Sequence, residues 1–241
     1  MPRGLALALV AVATLLLAAA AAVGARAAAY KLRYDDVRFP RVPRGRFAPA
    51  PGDVLLFIPH THGFHNSVVT HNLFSHAALV VPRDAAAPGG ALALAETSNY
   101  PIRLAKGAPP LAPPGGSALY PLAARVATYP GSVFWMPLVL PLGPARAARL
   151  AALAARRVPY PPPLALLART LGLGRVGRGR TCEEYVAALL DGVGLTPTGE
   201  PPLGATGLRR AGRRLAALPG RPLGEPASNL YAPIRQVLGP P

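Results

Sequence analysis

"SHAALVV", residues 75–81, is the stretch on which the reading of the fold turns. It is a short, unbroken apolar run, opened by a hydroxyl and a titratable ring and closed by Pro82. That length and β-branched ending suit a buried strand better than a helix. Upstream, "GDVLLF" (52–57) is a second such run behind a Gly-Asp turn. Downstream, "GGALALAETSNYPIRL" (89–104) supplies a third around Ala91–Thr97, after a Gly-Gly turn. Three strands joined this closely lie side by side as a meander. His76 then sits at the rim of the second strand and Glu96 near the end of the third, within reach of each other.

The remaining pattern is that of a small α+β domain. "GSVFWMPLVLPL" (131–142) reads as a further strand, too short and too broken by proline to cross a bilayer. "PARAARLAALAARR" (144–157) reads as a helix with Pro144 in its first turn. "LRRAGRRLAAL" (208–218) reads as a basic amphipathic helix, with Leu208, Ala211, Leu215 and Leu218 on one side and arginines on the other. Residues 105–116 read as a loop. The 31 Pro and 25 Gly among 241 residues speak for strands and irregular connections rather than a helical bundle. No internal repeat and no second domain is visible.

Arg3 precedes an uncharged apolar run of 21 residues, Gly4–Gly24, and "ARA" (25–27) has the small-x-small pattern of a processing site. The run is also long enough to serve as an uncleaved anchor. Residues 1–27 are therefore expected to be a signal peptide or signal anchor, 28–50 a basic, proline-punctuated lead-in, and 51–241 the domain proper. The expected location is the secretory pathway, extracytoplasmic or membrane-anchored. The formal charge of +16, nearly all of it arginine, fits either an anionic surface as partner or a compositional bias of the coding sequence. A nucleic-acid binder is not expected: there is no recognisable motif or stacking platform, and the export signal argues against one.

"TCEEYVAALLDGVG" (181–194) carries Cys182, the only cysteine in the chain, so no intrachain disulfide is possible. Thr181 and Glu184 have capping-box spacing, and Tyr185, Val186, Leu189 and Leu190 recur at helical spacing before glycines end the helix. Cys182 thus falls in a first helical turn, where the dipole favours a thiolate. Glu183 and Glu184 oppose that effect, and an imidazolium neighbour would outweigh them. Taken alone, Cys182 fits a small buried side chain as well as a nucleophile, and His76 fits a structural role as well as a base. Asn99 and Asp53 are weaker candidates than Glu96 for orienting the ring. Asp53 is expected to do turn chemistry. His60, His62, His65 and His71 crowd one loop, but their spacing matches no closed zinc motif, so neither a metal nor a cofactor is expected.

In order and spacing, "GDVLLF", "SHAALVV", "LALAETSN", "SVFWMPL" with the helix after it, "PY" (159–160) and "TCEEYVAALLDGVGL" resemble the circularly permuted branch of the NlpC/P60 papain-like superfamily. That branch includes YiiX/YaeF-type proteins and is related to lecithin:retinol acyltransferase. The resemblance spans roughly residues 50–197. It implies a small antiparallel sheet or barrel packed against a nucleophile-bearing helix, with Cys182 as nucleophile, His76 as base and Glu96 as the orienting residue. It also implies a cysteine-dependent hydrolase or acyltransferase acting on an amide, ester or thioester, with a lipid or peptide substrate. The sequence departs from that pattern at Glu183, where a small serine is usual, and at the "PPP" after "PY". The rival reading is a catalytically inactive, membrane-associated binding protein of the same fold.

Overall fold

The computed structural model describes residues 3–34, 39–43, 45–59, 74–84, 86, 90–104, 109–110, 115–165, 179–195 and 235–238. The histidine-rich loop and the basic segment 208–218 lie outside the described residues. Helix α1 (Arg3–Tyr34) contains a window, Val10–Ala29, that is long and apolar enough to cross a membrane. None of that window is buried against the rest of the protein.

Among the described residues six strands follow: β1 (Val54–Pro59), β2 (His76–Pro82), β3 (Leu92–Ser98), β4 (Gly116–Pro121), β5 (Gly131–Met136) and β6 (Arg235–Leu238). They form one open antiparallel sheet in the order β4-β3-β2-β1-β5-β6. The sheet is therefore not a closed barrel. β1 to β3 make the expected meander, β4 extends it beyond β3, and β5 adds on the other side of β1.

Both faces are covered, which explains why the central strands are continuously apolar rather than alternating. On one face Val54, Leu56, Ala77, Leu79, Val81, Ala93 and Ala95 meet α3 (Pro144–Ala154) and α4 (Cys182–Gly192). Those helices bury residues at helical spacing: Ala147, Leu150, Ala151 and Ala154 from α3, and Cys182, Tyr185, Val186, Leu189 and Leu190 from α4. Tyr185 Oη donates to the Ala154 carbonyl across the two helices at 3.1 Å. On the other face Leu55, Phe57, Ala78, Val80 and Leu94 meet α2 (Leu122–Ala127) through Leu122 and Val126.

The lead-in is partly built into this sheet. Phe39 packs against Phe74 and Phe134 on the α4 face, while Phe47 meets Trp135 edge-on at 5.5 Å on the other. Val42 N–H donates to the Gln236 carbonyl at 2.9 Å.

Three sequence expectations are corrected. β5 stops at Met136 rather than running to 142, because Pro137 has no N–H for the ladder and the Leu138 N–H turns to Asp53. The third helix ends at Ala154 rather than 157. β4, α2 and β6 were not anticipated at all, and the segment read as a loop to residue 116 ends where β4 begins.

Asp53 does the turn chemistry expected of it. Its carboxylate accepts from Ala50 N–H at 2.9 Å, Trp135 Nε1–H at 2.7 Å and Leu138 N–H at 2.8 Å, and it is 2% exposed. Gly52 before it has φ +95°, and a Cβ there would lie 3.1 Å from Leu138 and Leu142 side chains. The Gly-Asp pair is thus a structural corner tying the start of β1 to the end of β5.

Candidate active site

β2 begins with His76, opposite Phe57 of β1. One step beyond the paired residues Leu79 and Ala95, the register sets Glu96 of β3 beside Ala78, two residues from His76 and on the same face. The two side chains meet diagonally: His76 Nε2 lies 2.7 Å from Glu96 Oε2. Glu96 is 1% exposed. The His76 side chain is 17% exposed, so the ring bridges the interior and the surface.

Cys182 arrives from the opposite layer. α4 packs on β2 and β3 from the far side of the sheet. Thr181 caps it as expected: Thr181 Oγ1 accepts from Glu184 N–H at 3.4 Å, and Glu184 Oε2 accepts from Thr181 N–H at 2.9 Å. The box fixes the first turn, and Cys182 is its first residue. The Cys182 side chain forms a hydrogen bond with the His76 ring. Because Nε2 is taken by Glu96, Nδ1 is the nitrogen left for the sulfur. Thiol, imidazole and carboxylate, separated by up to 106 positions in the chain, stand in one row.

The electrostatics follow from that row. Burial alone would push the His76 pKa down. The Cys182 charge and hydrogen bond, and then the Glu96 hydrogen bond and charge, overcome it and raise the value from 6.5 to about 9. Burial would push Glu96 up, but the Arg125 guanidinium and the His76 ring hold it below the usual carboxylate range.

Arg125 on α2 is the functional neighbour that the sequence did not announce. Its Nε donates to Glu96 Oε1 at 2.9 Å and Nη2 to Oε2 at 3.1 Å, a two-pronged contact. It is 7% exposed and lies 5.2 Å from the Phe57 ring centre and 5.0 Å from that of Tyr129. It is buried on α2 with Leu122 and Val126, and a six-residue helix has no periodicity from which that burial could have been read.

Tyr160 stands near the sulfur. Burial, then Cys182, Tyr100 and the two first-turn glutamates, raise its phenol pKa well above the usual tyrosine value, so it keeps its proton. The segment preceding α4 is held against it: Arg180 N–H donates to the Pro159 carbonyl at 3.0 Å. Gly179, at φ +110°, permits this approach, since a Cβ would come within 2.8 Å of that carbonyl. Of the weaker candidates, Asp53 is occupied at the sheet corner and Asn99 is exposed on the bend after β3. Among the described residues no group of three or more metal-ligating side chains occurs.

No protein-family model and no curated protein matches the chain. Among solved structures, the chain is similar to one described as the metalloprotein YiiX from Escherichia coli O157:H7, DUF1105. The identity is 17% and the TM-score 0.42, over 80% of this chain and 89% of that one.

Proposed function

We propose that this protein is a cysteine-dependent hydrolase or acyltransferase of the permuted NlpC/P60 kind, acting on an amide, ester or thioester. The observation that carries the reading is the shared ring: His76 meets Glu96 at 2.7 Å through Nε2 and the Cys182 side chain through its other face. This is the arrangement of nucleophile, base and orienting group that acyl transfer through sulfur needs.

In the proposed step His76 Nδ1 takes the Cys182 proton and the sulfur attacks the substrate carbonyl carbon. The C–S bond forms as the carbonyl π electrons move to oxygen. The Cys182 N–H, at the start of α4 and outside the capping box, serves as an oxyanion donor. Collapse expels the amine, alcohol or thiol, which leaves with the proton held by His76. Water, or an acceptor alcohol or amine, then gives its proton to His76 and attacks the thioester, and Cys182 is released. Glu96 holds the ring orientation and stabilises the imidazolium throughout.

The substrate carries an acyl or amide group, of lipid or peptide. The N-terminal span and the basic sequence 208–218 favour an anionic membrane surface as its setting, outside the cytoplasm or anchored to the membrane. The proposed organisation is a signal or anchor over 1–27, a lead-in over 28–50 and the hydrolase domain over 51–241.

The test is covalent labelling with a thiol-directed acyl probe. Wild type is expected to label, and Cys182→Ala and His76→Ala are expected not to. Labelling that persists in both variants removes the enzyme reading, and a folded wild type that never labels favours a binding protein of the same architecture.

A further inference from the structure

We infer that Arg125 is a positioning residue of this site, acting through Glu96 to keep a positive charge on the His76 ring. The inference rests on the cysteine-enzyme reading and adds a fourth member to it. Arg125 meets Glu96 and the rings of Phe57 and Tyr129; its role is to decide what Glu96 can be.

The geometry makes the case. Glu96 Oε2 accepts from both His76 Nε2 at 2.7 Å and Arg125 Nη2 at 3.1 Å, while Oε1 accepts from Arg125 Nε at 2.9 Å. A guanidinium gripping both oxygens fixes the plane of the carboxylate, and so fixes the direction of the lone pair offered to His76. The guanidinium is itself held by the rings of Phe57 and Tyr129, which lie 4.8 Å apart, and Phe57 also lies 5.5 Å from the His76 ring. One aromatic pair thus holds the second-row arginine, and one of its rings also borders the first-row histidine.

The row runs Cys182, His76, Glu96, Arg125, with the carboxylate between the imidazole and the guanidinium. Without Arg125, a carboxylate that is 1% exposed would face only one cation. Such a group takes up a proton rather than remain a buried anion. A protonated Glu96 no longer stabilises the imidazolium, and a neutral His76 no longer stabilises the thiolate. Among the described residues, the other titratable groups around the row are Tyr120 on β4, Tyr129 after α2, Tyr160, Glu183 and Glu184 on α4, Arg157 acting on Tyr120, and Arg180 just ahead of α4. It is Arg125 whose guanidinium reaches the Glu96 oxygens.

Because Cys182 is the only cysteine, thiol alkylation by iodoacetamide, followed by mass on the Cys182 peptide, reads this site. The measurement is the ratio of the alkylation rate constants at pH 6 and pH 10 on the full chain, with folding followed by circular dichroism. Arg125→Met is expected to lower that ratio about tenfold or more, equal to one pH unit or more in the protonation of His76. Arg125→Lys is expected to recover part of it. If Arg125 acts through Glu96, Glu96→Gln and Glu96→Gln/Arg125→Met give the same ratio, and this pair decides the matter should Arg125→Met fail to fold. A folded Arg125→Met with the wild-type ratio, or a double variant about tenfold below Glu96→Gln, overturns the inference. A His76→Ala variant with the wild-type ratio would instead remove the thiol–imidazole reading itself, whatever Arg125 does.

Discussion

The charge on the His76 ring can be measured directly. Its pKa is raised from 6.5 to about 9, so the folded site favours the imidazolium by about 3 kcal/mol over an exposed histidine. That gain is what survives after burial, the largest single influence, has worked in the opposite direction. It comes first from Cys182 and then from Glu96. Cys182→Ser, which removes the sulfur responsible for the largest raising influence and nearly keeps the size, is therefore expected to lower the midpoint more than Glu96→Gln does. In the double variant burial acts unopposed, and the midpoint is expected below 6.5. The assay is a pH titration of the full chain in detergent micelles, with ¹³C at histidine Cε1. His76→Asn identifies its resonance among the five histidines. The stability has a matching sign. A histidine whose folded pKa is raised contributes stability that is fully present below about pH 6.5 and is lost as the pH rises through about 9. The unfolding free energy of wild type relative to His76→Gln should accordingly be largest in mild acid and decline through pH 9. A wild-type midpoint at or below 6.5, or one that Cys182→Ser leaves in place, would refute the argument, because the ring would then not be held between Cys182 and Glu96.

Other consequences are simpler. Asp53→Ala leaves the buried Trp135 Nε1–H and Leu138 N–H without their acceptor, and is expected to cost about 3 kcal/mol in urea unfolding; a loss under about 1 kcal/mol would show the corner to be dispensable. Gly179→Ala forces a side chain into φ +110° against the Pro159 carbonyl, and should cost about 2 kcal/mol while slowing Cys182 alkylation at pH 6; a stable variant with unchanged alkylation would separate the 159–160 segment from the site. Leu16→Arg, within the Val10–Ala29 window, costs up to about 3 kcal/mol in a bilayer and should shift the full chain from the carbonate-resistant membrane fraction toward the supernatant. Equal partitioning of both forms would mean that α1 does not hold the protein in a membrane.

What the sequence disclosed and what it withheld divide along a physical line. β1, β2 and β3 were legible because they are buried on both faces, and a strand covered twice must be apolar throughout. α4 was legible because a capping box and a stripe at helical spacing are local. β4 and β6 were not. The first begins at Gly116 and ends at Pro121 behind a glycine- and proline-rich stretch, and the second is only four residues long. Helix α2, with six residues, is too short for a periodicity to declare itself. The site shows the same division. His76 and Glu96 could be brought together from a meander and a register, which are short-range facts. That Cys182 would reach the same ring was an inference from resemblance, because α4 covers the opposite face and only the sheet's topology makes the two layers meet at the start of β2. Arg125 was out of reach for a further reason. In a chain with 26 basic residues, one more arginine in "AARVA" carries no signal. Its meaning comes from being buried beside Leu122 and Val126, and burial of a guanidinium is tolerable only where a carboxylate is already waiting. Glu96 is equally intolerable alone. Each makes the other's position possible, so neither could be assigned from its own neighbourhood in the chain, and the ring between Glu96 and the sulfur inherits its charge from both.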